Sequence, residues 1–229
     1  MNPSTSKSQR RFRTFSALWA TVPVAIVTAA VTASALWAQI PAANVFRIEE
    51  DWQLVIGSPD TFVNGPQVTC TISPINMSTA YCAFDINYHT QPDYQAGGLQ
   101  IHTWDPADPV EVANAVQTQL MSTPGETVTW TQTMALANGA LTFKIMNGQS
   151  QTWGKFGGAP GNSGDLMLNL PSTLSNLNSY SSGISVANSG VSFATNYVTS
   201  LTLAAVRYYD VNGNLIQQIT TPQVVYPHP

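Results

Sequence analysis

TVTWTQTMALANGALTFKIMNGQ, residues 127–149, reads as two alternating strands joined at Asn138-Gly139. Asn-Gly between alternating runs is the strongest short-range hairpin signal, because both residues accept the positive φ that a two-residue turn requires. RYYDVNGNLIQQI (207–219) repeats the pattern around Asn212-Gly213. Further strands are predicted in FRIEEDWQLVIG, QVTCTIS, TAYCAFDINYH, GLQIHTWD, SQTWGKFG, LMLNLP, VSFATN and VTSLTLAAVRYYD. Turn signals recur about every 8–15 residues, which predicts an all-β sandwich or barrel rather than a βαβ fold. The best helix candidate is EVANAVQTQLM (111–121), where Val112, Val116 and Leu120 stand at helical spacing between Pro109 and Pro124-Gly125, with an irregular excursion as the alternative. Residues 157–192 are rich in Gly, Ser and Asn, but Leu174, Leu177, Tyr180 and Ile184 interrupt them, which predicts ordered loop rather than linker. There is no internal repeat.

The N-terminus has a different character. Lys7, Arg10, Arg11 and Arg13 precede an uncharged apolar run, FSALWATVPVAIVTAAVTASALWA, about one membrane span long. A basic head before such a run holds the head in the cytoplasm and sends the remainder across the membrane. Residues 1–38 are therefore expected to be a signal peptide or a retained signal anchor. Ala33-Ser34-Ala35 offers a cleavage site, while the length of the run suits an anchor, so both outcomes stay open. Residues 39–44 would be a connector and 45–229 a single domain, secreted or anchored outside the cytoplasm.

Only 9% of the 229 residues are charged. Without the leader, Arg47, Lys144, Lys155 and Arg207 face all twelve acids, a net charge of −8. Such a surface repels phosphate backbones and excludes nucleic acid as the expected partner. A membrane is expected to be met only through the N-terminal segment.

Cys70 and Cys82 are the only cysteines. Outside the cytoplasm they are expected to pair, on strands joined by a turn around PINMS, in a register that sets 70 opposite 82. Two cysteines make no zinc set, and no metal site is expected.

The strands that carry candidate chemistry are adjacent in sequence. In GLQIHTWD, Leu99, Ile101 and Thr103 share one face, and Gln100, His102 and Trp104 the other. In the strand before it, Asp85, Asn87 and His89 form a second polar stripe opposite Phe84, Ile86 and Tyr88. If both stripes line one sheet face, amides and a carboxylate could bridge sugar hydroxyls while an indole stacks on a pyranose. The bland alternative is a solvated sheet face.

Trp130, Asn138-Gly139, Leu141, Phe143, Ile145 and Asn147-Gly148 resemble the central hairpin of concanavalin A-like and laminin G-like sandwiches. Leu201, Leu203, Val206, Arg207 and Tyr209 resemble the near-terminal strand of the same group, and the mature chain is similar to exported bacterial proteins that begin with an IEEDW-like strand. The resemblance implies an antiparallel two-sheet jelly roll with one concave face for ligands. Such folds host lectins, adhesion modules, glycosidases and lyases alike. Gln100-Ile101-His102 also resembles the Q-I/V-H motif of jelly-roll alginate lyases, in which the Gln neutralises the uronate and the His removes a proton. Arg47-Ile48-Glu49 matches the start of that family's R-x-E-L strand, but Glu50 replaces the Leu and the tyrosine-bearing motif has no counterpart. The negative charge also opposes an anionic substrate.

Other patterns read as ordinary structure. Glu49 and Asp51 share a strand face, but Gln53 and Leu54 break the glycosidase pattern. GNSGD (161–165) departs from a serine-protease loop at Asn162 and Asp165. Asp210, Asn212 and Asn214 alternate like the start of a calcium loop, but Gln217 and Gln218 follow where a glutamate is needed, so a hairpin turn is expected. A structural calcium elsewhere in such a sandwich stays open, and no other cofactor is expected. Asn76-Met77-Ser78 is a glycosylation sequon that would act only in a eukaryotic secretory host. The leading expectation is an exported, non-catalytic surface or adhesion sandwich that binds a neutral glycan or an extracellular protein. The alternatives are a polysaccharide-active lyase or hydrolase using Gln100 and His102, with Arg47 in the lyase case, and a purely structural envelope protein.

Overall fold

The computed structural model describes residues 43–57, 68–86, 99–104, 112–115, 123–158, 166–185 and 198–227. The leader, Asn87, His89 and the predicted strand VSFATN lie outside these residues. The described part is all-β, a sandwich of two antiparallel sheets. Its strands are β1 (Arg47–Ile56), β2 (Val68–Ser73), β3 (Tyr81–Ile86), β4 (Leu99–Trp104), β5 (Val112–Ala115), β6 (Thr127–Ala137), β7 (Ala140–Ser150), β8 (Gly154–Phe156), β9 (Met167–Pro171), β10 (Ser181–Ser185), β11 (Val198–Tyr209), β12 (Leu215–Ile219) and β13 (Gln223–Tyr226).

The larger sheet runs β12-β11-β1-β6-β7-β8, with β13 also on β11 and β9 also on β7. The smaller runs β10-β2-β3-β4-β5. Period-two alternation sets what each face buries. In β1, Ile48, Trp52, Leu54 and Ile56 point inward, while Arg47, Glu49, Asp51 and Gln53 are more exposed. Trp52 and Trp130 stand opposite each other in register and stack, with centroids 6.3 Å apart and an interplanar angle of 11°. Phe84 of the smaller sheet meets Trp130 edge-on at 5.4 Å, and this aromatic contact joins the two layers.

The hairpin at residues 138–139 forms as expected. Ala137 pairs with Ala140, and Asn138 and Gly139 take φ of 51° and 73°. At the second hairpin the Asp210 carboxylate accepts the backbone N–H of Asn212 and Asn214, both at 2.8 Å, so its oxygens hold the turn itself.

Two expectations are corrected. Val112–Ala115 is a strand on β4 rather than the start of a helix. Pairing with the edge of the sheet satisfies the backbone of a short Val- and Ala-containing segment better than an isolated helix would, because helix nucleation is costly. The cysteine register is also displaced by two residues. Cys70 faces Phe84 and Ile72 faces Cys82, so the cysteines are diagonal neighbours on the inward face, buried with both thiols free. A two-residue shift keeps every side chain on its face but separates the expected pair. Burial raises the Cys82 thiol to about 12, and burial, helped by the nearby Glu50 and Asp85 charges, also raises the Cys70 thiol.

Candidate functional site

Of the two polar stripes predicted from sequence, Asp85, Gln100 and His102 stand on the outer face of the smaller sheet, while Asn87 and His89 lie outside the described residues. The register sets Asp85 between Thr69 on β2 and Gln100 on β4, while Ala83 stands opposite His102. The small Ala83 side chain leaves room for the imidazole to lean diagonally along the strand. His102 Nδ1 lies 2.7 Å from Asp85 Oδ2, and Thr69 Oγ1 donates to Asp85 Oδ1 at 2.6 Å. Tyr81 flanks the histidine from the other side, its ring edge-on at 6.3 Å.

Burial grades this cluster. The Asp85 side chain is 2% exposed and that of His102 is 24% exposed. Gln100 is buried as well. Asp85 and Gln100 are therefore not accessible to solvent as groups of an open polar face would be. A buried carboxylate that takes Nδ1–H fixes the ring and its tautomer, which leaves Nε2 as the proton acceptor. This is the arrangement by which an acid–base histidine is oriented.

The remaining sequence candidates lie elsewhere. Trp104 is on β4, opposite Tyr81. Arg47 is on the outer face of the larger sheet, the opposite side of the sandwich from His102. Its guanidinium lies 3.9 Å from the centre of the Tyr209 ring and 3.3 Å from Glu49. The four basic residues after the leader, Arg47, Lys144, Lys155 and Arg207, all sit on strands of the larger sheet, so the strands around His102 supply no cation for a uronate. Among the described residues, no group of three His, Cys, Asp or Glu is placed to hold a metal ion.

The outer face of the larger sheet has its own network. Arg207 donates to both Asp51 oxygens, at 2.5 and 2.7 Å, and to Glu49 at 3.0 Å. Those hydrogen bonds, Asp51 first, hold its guanidinium firmly charged. Tyr209 donates to Glu49 and Thr131 to Asp51. Glu49 and Asp51, which share a strand face, are thus committed to arginine rather than placed as a free acid pair. Beside them a cleft of about 370 Å³ is lined by Asp51, Gln53, Thr129, Thr131, Asn147 and Arg207, among others. Sequence reading missed this ladder, although Arg207 and Tyr209 fall on the outward period of β11, as Glu49 and Asp51 do on β1.

No family model matches the chain, and no curated protein matches it. Among solved structures it is similar to scytalido-glutamic peptidase bound to a peptide-based transition-state analogue, with a TM-score of 0.39, 9% identity, and 81% and 84% of the two chains covered. It is also similar to SCP-B, a member of the eqolisin family of peptidases, in complex with the tripeptide Ala-Ile-His, with a TM-score of 0.35, 10% identity and the same coverage. With TM-scores below 0.5, nothing about this chain's chemistry follows from either likeness.

Proposed function

We propose that the protein is an exported, concanavalin A-like β-sandwich enzyme that acts on a neutral polysaccharide, with His102 as its acid–base group. The observation that carries the reading is the buried Asp85 held 2.7 Å from His102 Nδ1, with Thr69 locking the other carboxylate oxygen. A lectin would need exposed acceptors on this face. Here Asp85 and Gln100 are buried, while the histidine is partly exposed. In hydrolysis His102 would take a proton from the attacking water as the glycosidic C–O bond breaks and return it to solvent, and the leaving oxygen would be protonated from solvent. Asp85 would orient the imidazole, and Tyr81 beside it would shape the approach. A neutral substrate suits strands without a cation and a domain charge of −8.

The test is turnover of a panel of neutral and uronate polysaccharides, read as new reducing ends and as unsaturated products. The reading expects cleavage of a neutral polymer, a loss of about 100-fold or more in His102→Ala, and a smaller loss in Asp85→Asn. Cleavage that survives His102→Ala, or no cleavage of any polymer, overturns it.

A second reading rests on the cleft of the larger sheet. There the charges of Asp51 and Arg207 compensate each other, and Gln53, Thr129, Thr131 and Asn147 offer neutral hydrogen-bonding groups. This arrangement suits a non-catalytic module that binds a neutral glycan or an extracellular protein. Binding without turnover, lost in Asn147→Ala and retained in His102→Ala, would favour it.

A further inference from the structure

Glu50 is the one inward-pointing acid of β1, and it is fully buried between the sheets. Its Oε2 accepts Trp52 Nε1–H at 2.9 Å and Gln132 Nε2–H at 2.8 Å, from β1 and from β6 opposite. The Tyr180 hydroxyl donates to Oε1, and the Ser182 hydroxyl also bonds the carboxyl. Ser182 belongs to β10, an edge of the smaller sheet, and Tyr180 leads into it. One carboxyl therefore ties the centre of one layer to the rim of the other.

The donors are all neutral, and among the described residues no Lys, Arg or His forms an ion pair with Glu50. The titratable groups that face it are Tyr180 before β10, Tyr208 on β11 and Cys70 on β2, each neutral in its buried protonated form. An isolated buried carboxylate is costly, and hydrogen bonds from neutral groups offset only part of that cost.

We propose that Glu50 is a proton-holding joint between the two sheets: the sandwich closes around its neutral carboxyl, so the fold is tightest in a mildly acidic medium and loosens as the medium turns alkaline. Burial raises this carboxyl to about 7, against the pull of its hydrogen bonds. The unfolded chain releases the proton near the ordinary glutamate value, about 4.3, while the folded chain keeps it to about 7. Glu50 therefore costs no stability below the lower value. The cost grows as pH rises between the two and is complete above the upper one.

The experiment is thermal unfolding of the full-length chain and of Glu50→Gln across about pH 5 to 8. The wild type is expected to lose about 5–10 °C more than the variant over that range. Equal pH dependence in the two folded proteins overturns the proposal. If Glu50→Gln does not fold, infrared titration of the wild type decides. A protonated-carboxyl band that disappears near neutral pH, and at higher pH in Tyr180→Phe, supports the joint. A wild type with no such band above about pH 5.5 rules it out.

Discussion

Asp85 reaches His102 across a diagonal, Oδ2 to Nδ1 at 2.7 Å, because the residue directly opposite the histidine is Ala83. The contact crosses from β3 to β4, and Thr69 extends it to β2. Asp85 is therefore a joint of the smaller sheet as well as the support of the proposed site. Asp85→Ala is expected to cost about 1–3 kcal/mol, because it leaves a half-buried hydroxyl and an imidazole without this acceptor. Thr69→Val should cost about 1 kcal/mol. Chemical denaturation measures both, and an Asp85→Ala protein as stable as the wild type would contradict this arrangement.

The cysteines give a redox prediction. Cys70 and Cys82 are both buried with free thiols, and burial holds each in the unreactive protonated form. The native protein should resist alkylation, take up two labels once unfolded, and keep its melting temperature in reductant. A drop in melting temperature of several degrees in reductant would instead reveal a cross-link.

Trp130 stacks on Trp52 and takes the edge of Phe84 from the other layer. Trp130→Ala should cost about 3–5 kcal/mol through lost burial and the cavity left behind. Equilibrium unfolding tests this, and a cost below about 1 kcal/mol would show that the aromatic cluster is not the core of the sandwich.

Two glycines with positive φ should respond unequally to alanine. Gly139 has φ +73° and open space, with its nearest contact, the Ser172 carbonyl, at 3.9 Å from an added Cβ. Gly139→Ala should cost about 1–2 kcal/mol, from the left-handed backbone alone. Gly157 has φ +68°, and an added Cβ would stand 2.7 Å from the Ile145 carbonyl oxygen. Gly157→Ala must also displace backbone, so its melting temperature should fall below that of Gly139→Ala.

Glu126 should show a pH dependence opposite to that of Glu50. Burial raises its carboxyl, but hydrogen bonds from Ser150 and Thr152 more than reverse this and hold it below the ordinary range. Its stabilising effect is present above the unfolded value and fades as pH falls through the lower folded one. Glu126→Gln should therefore be less stable than the wild type at neutral pH, and the difference should narrow in acid.

Local signals determined much of the fold. Alternation over β1, β6 and β11 and the two Asn-Gly turns are written in consecutive residues, where period two and positive φ act without help from the rest of the chain. Asp85, Gln100 and His102 could be assigned to one sheet face for the same reason. Tertiary structure decided what those residues do. Burial of Asp85 and Gln100, the separation of Arg47 from His102, and the two-residue displacement of Cys70 from Cys82 all depend on which strands pair and in what register. The inward Glu50 shows the same division. Its alternation places it on the core side of β1, but only packing against Gln132, Tyr180 and Ser182 makes that placement tolerable. Backbone periodicity is a property of neighbours in sequence, whereas desolvation and hydrogen-bond partners are properties of neighbours in space.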